Sequence, residues 1–194
     1  MALVLLFTAI FATISIIEDR NEGFLQSVLA APVPRSSIVL GKVAGTTALA
    51  VIQALAIFVL APLVGIHLSM AAVLWSVPLL IAIGFGLSAL GFVIAWQTDS
   101  TQGFHAIMTA FLMPMWFLSG AFFPSTGLPA YVAWIVAINP LTYGVAALRR
   151  VLYAARPEVV SGLPSMACCL AVVVAFGAVV FALSVRVASR QRGA

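Results

Sequence analysis

The chain has 194 residues, of which 64% are hydrophobic and 7% are charged, and its formal net charge is +4. Soluble globular domains carry charges on about a quarter of their residues, so this composition excludes a soluble domain and indicates a protein embedded in a bilayer. The nine Lys and Arg residues are scattered at the ends of apolar segments. They form no continuous patch, so no nucleic-acid partner is expected.

Five apolar segments are predicted to cross the bilayer as helices, since about 20 apolar residues span the hydrocarbon region. The first segment is at the short limit of this length. The five predicted spans are residues 2–17, 38–64, 71–96, 105–123 and 166–187. They predict one all-α, polytopic transmembrane domain that covers residues 1–194.

The polar segment 18–31, between the first two spans, is predicted to form a short amphipathic helix. Its acidic residues suit a helix N-terminus, and four apolar residues then recur on one side of the helix. Such a helix offers an apolar ridge and a charged rim to a partner in water. A solvated loop that only joins two spans is the alternative. The residues concerned are Glu18, Asp19, Arg20, Glu22 and Gly23, then Phe24, Leu25, Val28 and Leu29, with Pro32 ending the helix.

Small residues within the spans predict close helix packing. Gly41 and Gly45 form a small-xxx-small pair, which lets another helix approach. Gly84 and Gly91 lie in a glycine-containing run that lacks the spacing of a dinucleotide-binding loop, so they are also assigned to packing. For Gln53, helix packing and a position facing a transport path both stay open.

The segment 124–164 differs from the spans, because prolines divide it into apolar pieces that are each too short to cross a bilayer. Such pieces are typical of interfacial or re-entrant helices packed on other helices. Residues 18–42, 97–103 and the C-terminal segment carry six Lys and Arg residues, against three on the other side. By the positive-inside rule this places the amphipathic helix and the C-terminus in the cytoplasm.

Catalytic chemistry is not indicated by the sequence. Lys42 follows a glycine, but the other P-loop positions are wrong, so this chain is not expected to bind ATP. His105 and Ser119 lie about 21 Å apart along one predicted helix, too far to cooperate. Since no acidic residue falls well inside a span, a carrier driven by protons or sodium is not favoured.

Three groups of residues, in this order and spacing, resemble the membrane subunit of bacterial ABC-2 type exporters. The resemblance covers about residues 1–187. The groups are Glu18-x-x-x-Glu22-Gly23-Phe24-Leu25 with Leu29 and Pro32; Leu118-Ser119-Gly120 with Phe123-Pro124 and Leu128-Pro129; and Asn139-Pro140-Leu141-Thr142-Tyr143 with Arg149.

The resemblance implies a function. The segment 18–31 would be the coupling helix that seats in a separate ATPase subunit, and that subunit would bind the ATP and Mg. Residues Asn139, Pro140, Tyr143 and Arg149 would belong to extracellular re-entrant helices. A second copy or a sister permease would complete the transporter in the bacterial inner membrane, exporting an amphiphilic drug-like, lipid-linked or saccharide cargo.

Family members usually have six spans and an amphipathic helix before the first span. The resemblance therefore implies that this chain lacks that helix and the first span, as a fragment, a late-started reading frame or a shortened subunit. A function of another class also stays open: a membrane scaffold without transport activity that recruits a cytoplasmic protein through residues 18–31.

Overall fold

The computed structural model describes residues 1–61, 69–120, 130–154 and 157–190, and all regular elements in these ranges are helical. The predicted all-α class is therefore confirmed. A 3-10 turn, Ala12–Ile14, joins the first two helices. The helices are α1 (Ala2–Phe11), α2 (Ser15–Asn21), α3 (Phe24–Ala30), α4 (Arg35–Leu60), α5 (Met70–Gln97), α6 (Thr101–Phe117), α7 (Ala130–Ile138), α8 (Pro140–Leu152), α9 (Pro157–Val160) and α10 (Met166–Arg190).

Four helices in the described ranges are long and apolar enough to cross a membrane: α1 continued through α2, α4, α5 and α10. Helix α6 has 17 residues and is therefore about 25 Å long, which is shorter than the roughly 30 Å of a hydrocarbon core. Residues 121–123 of the fourth predicted span, and residues 62–64 of the second, lie outside the described residues. The span over residues 105–123 stays a prediction.

Helix α5 is at the centre of the bundle and packs against α1, α4, α8 and α10. Glycines allow α5 and its neighbours to approach one another closely. A Cβ added at Gly91 would lie 2.7 Å from Thr13 Oγ1, and one added at Gly86 would lie 3.4 Å from the Cα of Gly177 in α10. A Cβ added at Gly144 of α8 would lie 3.0 Å from the side chain of Ile83. Helices packed this closely leave little room for one helix to move without its neighbours.

The exposed side chains of the spans are largely apolar, as lipid requires. Ile52, Val59 and Trp75 are 65%, 76% and 70% exposed, although each is a large apolar residue. In water such exposure would cost free energy, but in a bilayer these side chains meet hydrocarbon. The outer surface of α4 and α5 is therefore suited to lipid.

Cross-helix contacts define one end of the bundle. The Ser184 hydroxyl donates to the carbonyl of Ala89 at 3.0 Å, and Gly177 lies beside Gly86, so α5 and α10 run parallel. The C-termini of both helices therefore lie together, and Arg20 of α2 reaches the same end. We call this end, which carries Arg20, Lys42, Gln97 and Arg190, the basic end.

Candidate functional site

Helix α2 ends at a left-handed glycine instead of continuing through residue 31. Gly23 has φ 78° and ψ −4°, a conformation that glycine adopts at helix C-termini without steric cost. The amide of Glu22 donates to the carbonyl of Glu18 at 2.9 Å, and the amide of Gly23 donates to that of Arg20 at 3.2 Å. The expectation that the acidic residues begin the amphipathic helix is therefore wrong, because they belong to the last turns of the preceding helix.

The amphipathic element itself is the short helix α3, which begins directly after Gly23. Phe24 is 57% exposed, and Gln26 and Ser27 are also exposed, as are Glu18 and Glu22 beside the helix. No atom lies within 4 Å of a Cβ placed at Gly23, so the turn is open on its outer side. Pro32 lies in the exposed bend that follows the helix.

Leu25 was predicted to supply a contact to another protein, but the structure places it in this chain's own core. Its side chain is only 5% exposed and belongs to the main apolar cluster. Val28 is partly buried, while the side chain of Leu29 lies outside the described set. One face of α3 therefore attaches the helix to the bundle, and Phe24 dominates the face that points away.

Arg20 makes its contacts inside the chain, at the C-terminus of α5. Its Nη2 donates to the carbonyl of Trp96 at 2.7 Å, and its Nη1 donates to that of Thr98 at 3.2 Å. The guanidinium carbon lies 5.8 Å from the centroid of the Trp96 ring. Asp99 is 3.5 Å away, but its side chain is fully exposed, and such pairs contribute little to stability.

A second contact joins α2 to α4, between the Asp19 carboxylate and the Lys42 ammonium group. The two side chains are 20% and 30% exposed, so the pair lies partly inside the bundle. Sequence reasoning did not pair them. Lys42 lies within a predicted span, and a charge in such a position requires a partner, which is the pattern that could have revealed the contact.

At the other end of the bundle, Asn139 joins α6 to α8. Its Nδ2 donates to the carbonyl of Met115 at 2.6 Å, and its Oδ1 accepts from the amide of Leu141 at 3.0 Å as an N-cap. Pro140 occupies the first turn of α8, where a missing N–H costs nothing. Thr142 and Tyr143 donate to the carbonyls of Val136 and Ala137. This motif therefore supplies hydrogen-bond partners to backbone groups at the ends of α6, α7 and α8.

Arg149 lies at the edge of a cavity of about 200 Å³ between α6, α7 and α8, together with Ser119, Thr142, Tyr143 and Pro164. The neighbouring Arg150 donates to the carbonyls of Leu163 and Pro164 at 2.6 and 2.7 Å. These contacts fix the C-terminal end of α8 to the start of α10.

The four glycines assigned to packing lie in different environments. Gly91 faces the close contact with Thr13, and a Cβ added at Gly84 would lie at ordinary contact distance, 3.4 Å, from Cγ2 of Thr47. No atom lies within 4 Å of a Cβ placed at Gly41 or Gly45. Both residues lie on an exposed face of α4, so nothing in the described chain packs there. The exposed Gln53 accepts a 2.6 Å hydrogen bond from Thr8 Oγ1.

Comparison with known proteins identifies the class. Residues 1–153 match the family model for ABC-2 type transporters, so the chain belongs to this family of membrane transport permeases.

Relatives include Nodulation protein J of Rhizobium meliloti, which is 29% identical over 86% of this chain and 63% of its own length. Nodulation protein J of Sinorhizobium fredii is 28% identical over 74% of this chain and 53% of its own length. The chain thus spans between about half and two thirds of the length of these relatives.

Proposed function

We propose that this chain is the permease subunit of an ATP-driven exporter and that α3 is its coupling helix. A separate ATPase subunit, holding ATP and Mg, would bind the exposed face of α3 in the cytoplasm. A second copy or a sister permease would complete the path. The observation that carries the proposal is the exposure of Phe24, a large apolar side chain on a short helix between two membrane spans.

The geometry around α3 supports this role. Phe24 is 57% exposed and lies at the basic end, which the positive-inside rule places in the cytoplasm. A buried aromatic anchor surrounded by polar groups is the usual arrangement of a tight protein interface. Glu18 and Glu22, both exposed, would form the charged rim that orients the partner. The burial of Leu25 keeps α3 attached to the bundle.

The cargo is proposed to be amphiphilic, drug-like, lipid-linked or a saccharide, and to be exported from the bacterial cytoplasm. Apolar spans without interior acids support an apolar component of the cargo. The short helices α7 and α8 are proposed to be re-entrant from the outer side. In support, Gly144 of α8 meets Ile83, which lies near the middle of α5.

The test uses the full chain co-expressed with a P-loop ATPase encoded next to it. Phe24→Asp places a charge where the partner would bury a phenyl ring, and losing about 1.5–3 kcal/mol of apolar burial corresponds to at least about a tenfold loss of association. Gln26→Asp is the matched control, because it adds the same charge at an exposed position on another side of α3. Co-purification of the ATPase is the measurement.

Undiminished co-purification with Phe24→Asp would contradict the proposal, provided that the variant inserts into the membrane like the unmodified chain. The alternative function, a scaffold without transport activity, predicts a partner that does not hydrolyse MgATP. Hydrolysis by the purified complex distinguishes the two.

A further inference from the structure

The end of α5 is closed by a residue from a distant part of the chain. Helix α5 leaves its last carbonyl groups without partners inside the helix. Thr98 serves two of them, since its hydroxyl donates to Ile94 at 2.8 Å and its amide to Ala95 at 3.3 Å. The next carbonyl, that of Trp96, accepts from Arg20, a residue 76 positions earlier in the sequence.

Arginine is suited to this position by its shape and charge. Its planar guanidinium presents several N–H donors in a fixed arrangement, so Arg20 reaches the carbonyls of Trp96 and Thr98 together. A cation at a helix C-terminus is also stabilised by the helix dipole. The side chain is only 24% exposed, so most of it is committed to the bundle rather than to a partner in water.

Helix α5 can distribute a movement of its end through the rest of the bundle. It meets α1 at Gly91, α10 at Gly86 and α8 at Ile83, and each contact is at or near the limit of close packing. The pair Asp19–Lys42 joins α2 only to α4, the helix that already follows α3 along the chain. Arg20 therefore links the region of α3 to the helix that packs against α1, α4, α8 and α10.

We propose that Arg20 is a positioning residue that transmits movement of the coupling helix α3 to α5, and through α5 to α8 and α10. Arg20 lies three residues before Gly23, the turn that separates α2 from α3. A force applied to α3 acts on α2 at this turn and reaches the carbonyl end of α5 through the guanidinium. This inference rests on the proposed function, because it requires an ATPase that displaces α3.

The experiment measures association and transmission separately, in proteoliposomes that contain the full chain with its ATPase. Association is the amount of ATPase that co-purifies. Transmission is the change that MgATP causes in the rate at which a maleimide alkylates Cys168, an exposed native thiol near the start of α10. Cys169→Ser serves as the background, so that Cys168 is the reacting cysteine in the permease.

Arg20→Gln is expected to retain ATPase association within about twofold and to reduce the MgATP-dependent change at least about fivefold, as for loss of a site-to-site coupling. Arg20→Lys keeps the charge with a single donor group and is expected to be intermediate. Asp99→Asn is the matched control: it removes the exposed carboxylate, leaves both carbonyl contacts in place, and is expected to behave as the unmodified chain.

Three results would overturn the inference: a full MgATP response in Arg20→Gln, a parallel loss of association and response, or no response in the unmodified complex. The second result would place Arg20 in the ATPase interface. If Arg20→Gln does not fold, Arg20→Lys decides, since a reduced response with full association supports transmission and an unchanged response refutes it. Absence of any ATPase from the unmodified complex would instead refute the proposed function.

Discussion

At each end of the bundle, a carbonyl group near a helix end accepts a hydrogen bond from a side chain elsewhere in the chain, and the two side chains differ in charge and exposure. At the basic end, Arg20 satisfies the carbonyl of Trp96 at the end of α5; at the other end, Asn139 satisfies the carbonyl of Met115 near the end of α6. The arginine is charged and partly exposed, whereas Asn139 is 7% exposed. Water can replace a partner only where it can enter. Loss of the arginine contact is therefore expected to cost less free energy than loss of the asparagine contact.

The largest expected effect is at the asparagine contact. Asn139→Leu leaves the Met115 carbonyl and the Leu141 amide unpaired, at about 1–2 kcal/mol for each buried group, so the free energy of unfolding should fall by about 2–4 kcal/mol. Thermal unfolding in detergent measures the change. Asn139→Ser is the control, because it can keep the N-cap of α8 and should lose about half as much. Equal losses of unfolding free energy in the two variants would show that the hydrogen bond to the Met115 carbonyl does not contribute to stability.

A smaller effect is expected from packing near the basic end, separate from the arginine. Gly91→Ala brings a methyl group to 2.7 Å from Thr13 Oγ1 and 3.1 Å from the Cα of Ile10, and such overpacking costs about 1–3 kcal/mol. Gly41→Ala, where no atom lies within 4 Å, should be neutral or stabilising by up to about 1 kcal/mol. If both variants unfold alike, the close approach of α1 to α5 is not important for stability.

The smallest effect is expected at the arginine. Arg20→Gln should lower the free energy of unfolding by only about 1–2 kcal/mol, since water can reach the freed carbonyls, and Asp99→Asn by less than about 0.5 kcal/mol. Both are measured by the same thermal unfolding. A loss from Arg20→Gln as large as that from Asn139→Leu would remove the distinction between the two ends, and the contact would then be structural.

Much of the architecture can be predicted from local pattern, because a bilayer imposes a simple rule on composition. Long apolar stretches gave the segments that α4, α5 and α10 occupy, and proline-broken pieces gave the short helices α7 and α8. The boundary between α2 and α3 could not be predicted from periodicity. Gly23 ends a helix there, and Glu18, Asp19 and Glu22 all precede that end, although negative charge is favoured at a helix N-terminus and not at a C-terminus.

The sequence predicted which segment forms the site, but not which of its side chains face the bundle and which are exposed. A period of 3.6 residues places Phe24 and Leu25 on neighbouring parts of one helix surface. It does not predict which of the two side chains faces the bundle. Only packing of α3 on the core separates them, leaving Phe24 exposed and Leu25 buried. The same holds for Gly41 and Gly91, which have the same residue type but different surroundings.

The sequence by itself determined the membrane class, the presence of a short helix between two spans and the resemblance to ABC-2 exporters, since these depend on composition and on residues close together in the chain. The tertiary structure decided the partners of Arg20, Asp19 and Asn139. Those contacts join residues 76, 23 and 24 positions apart, and nothing in local sequence specifies which helix end will need a donor until the helices have packed.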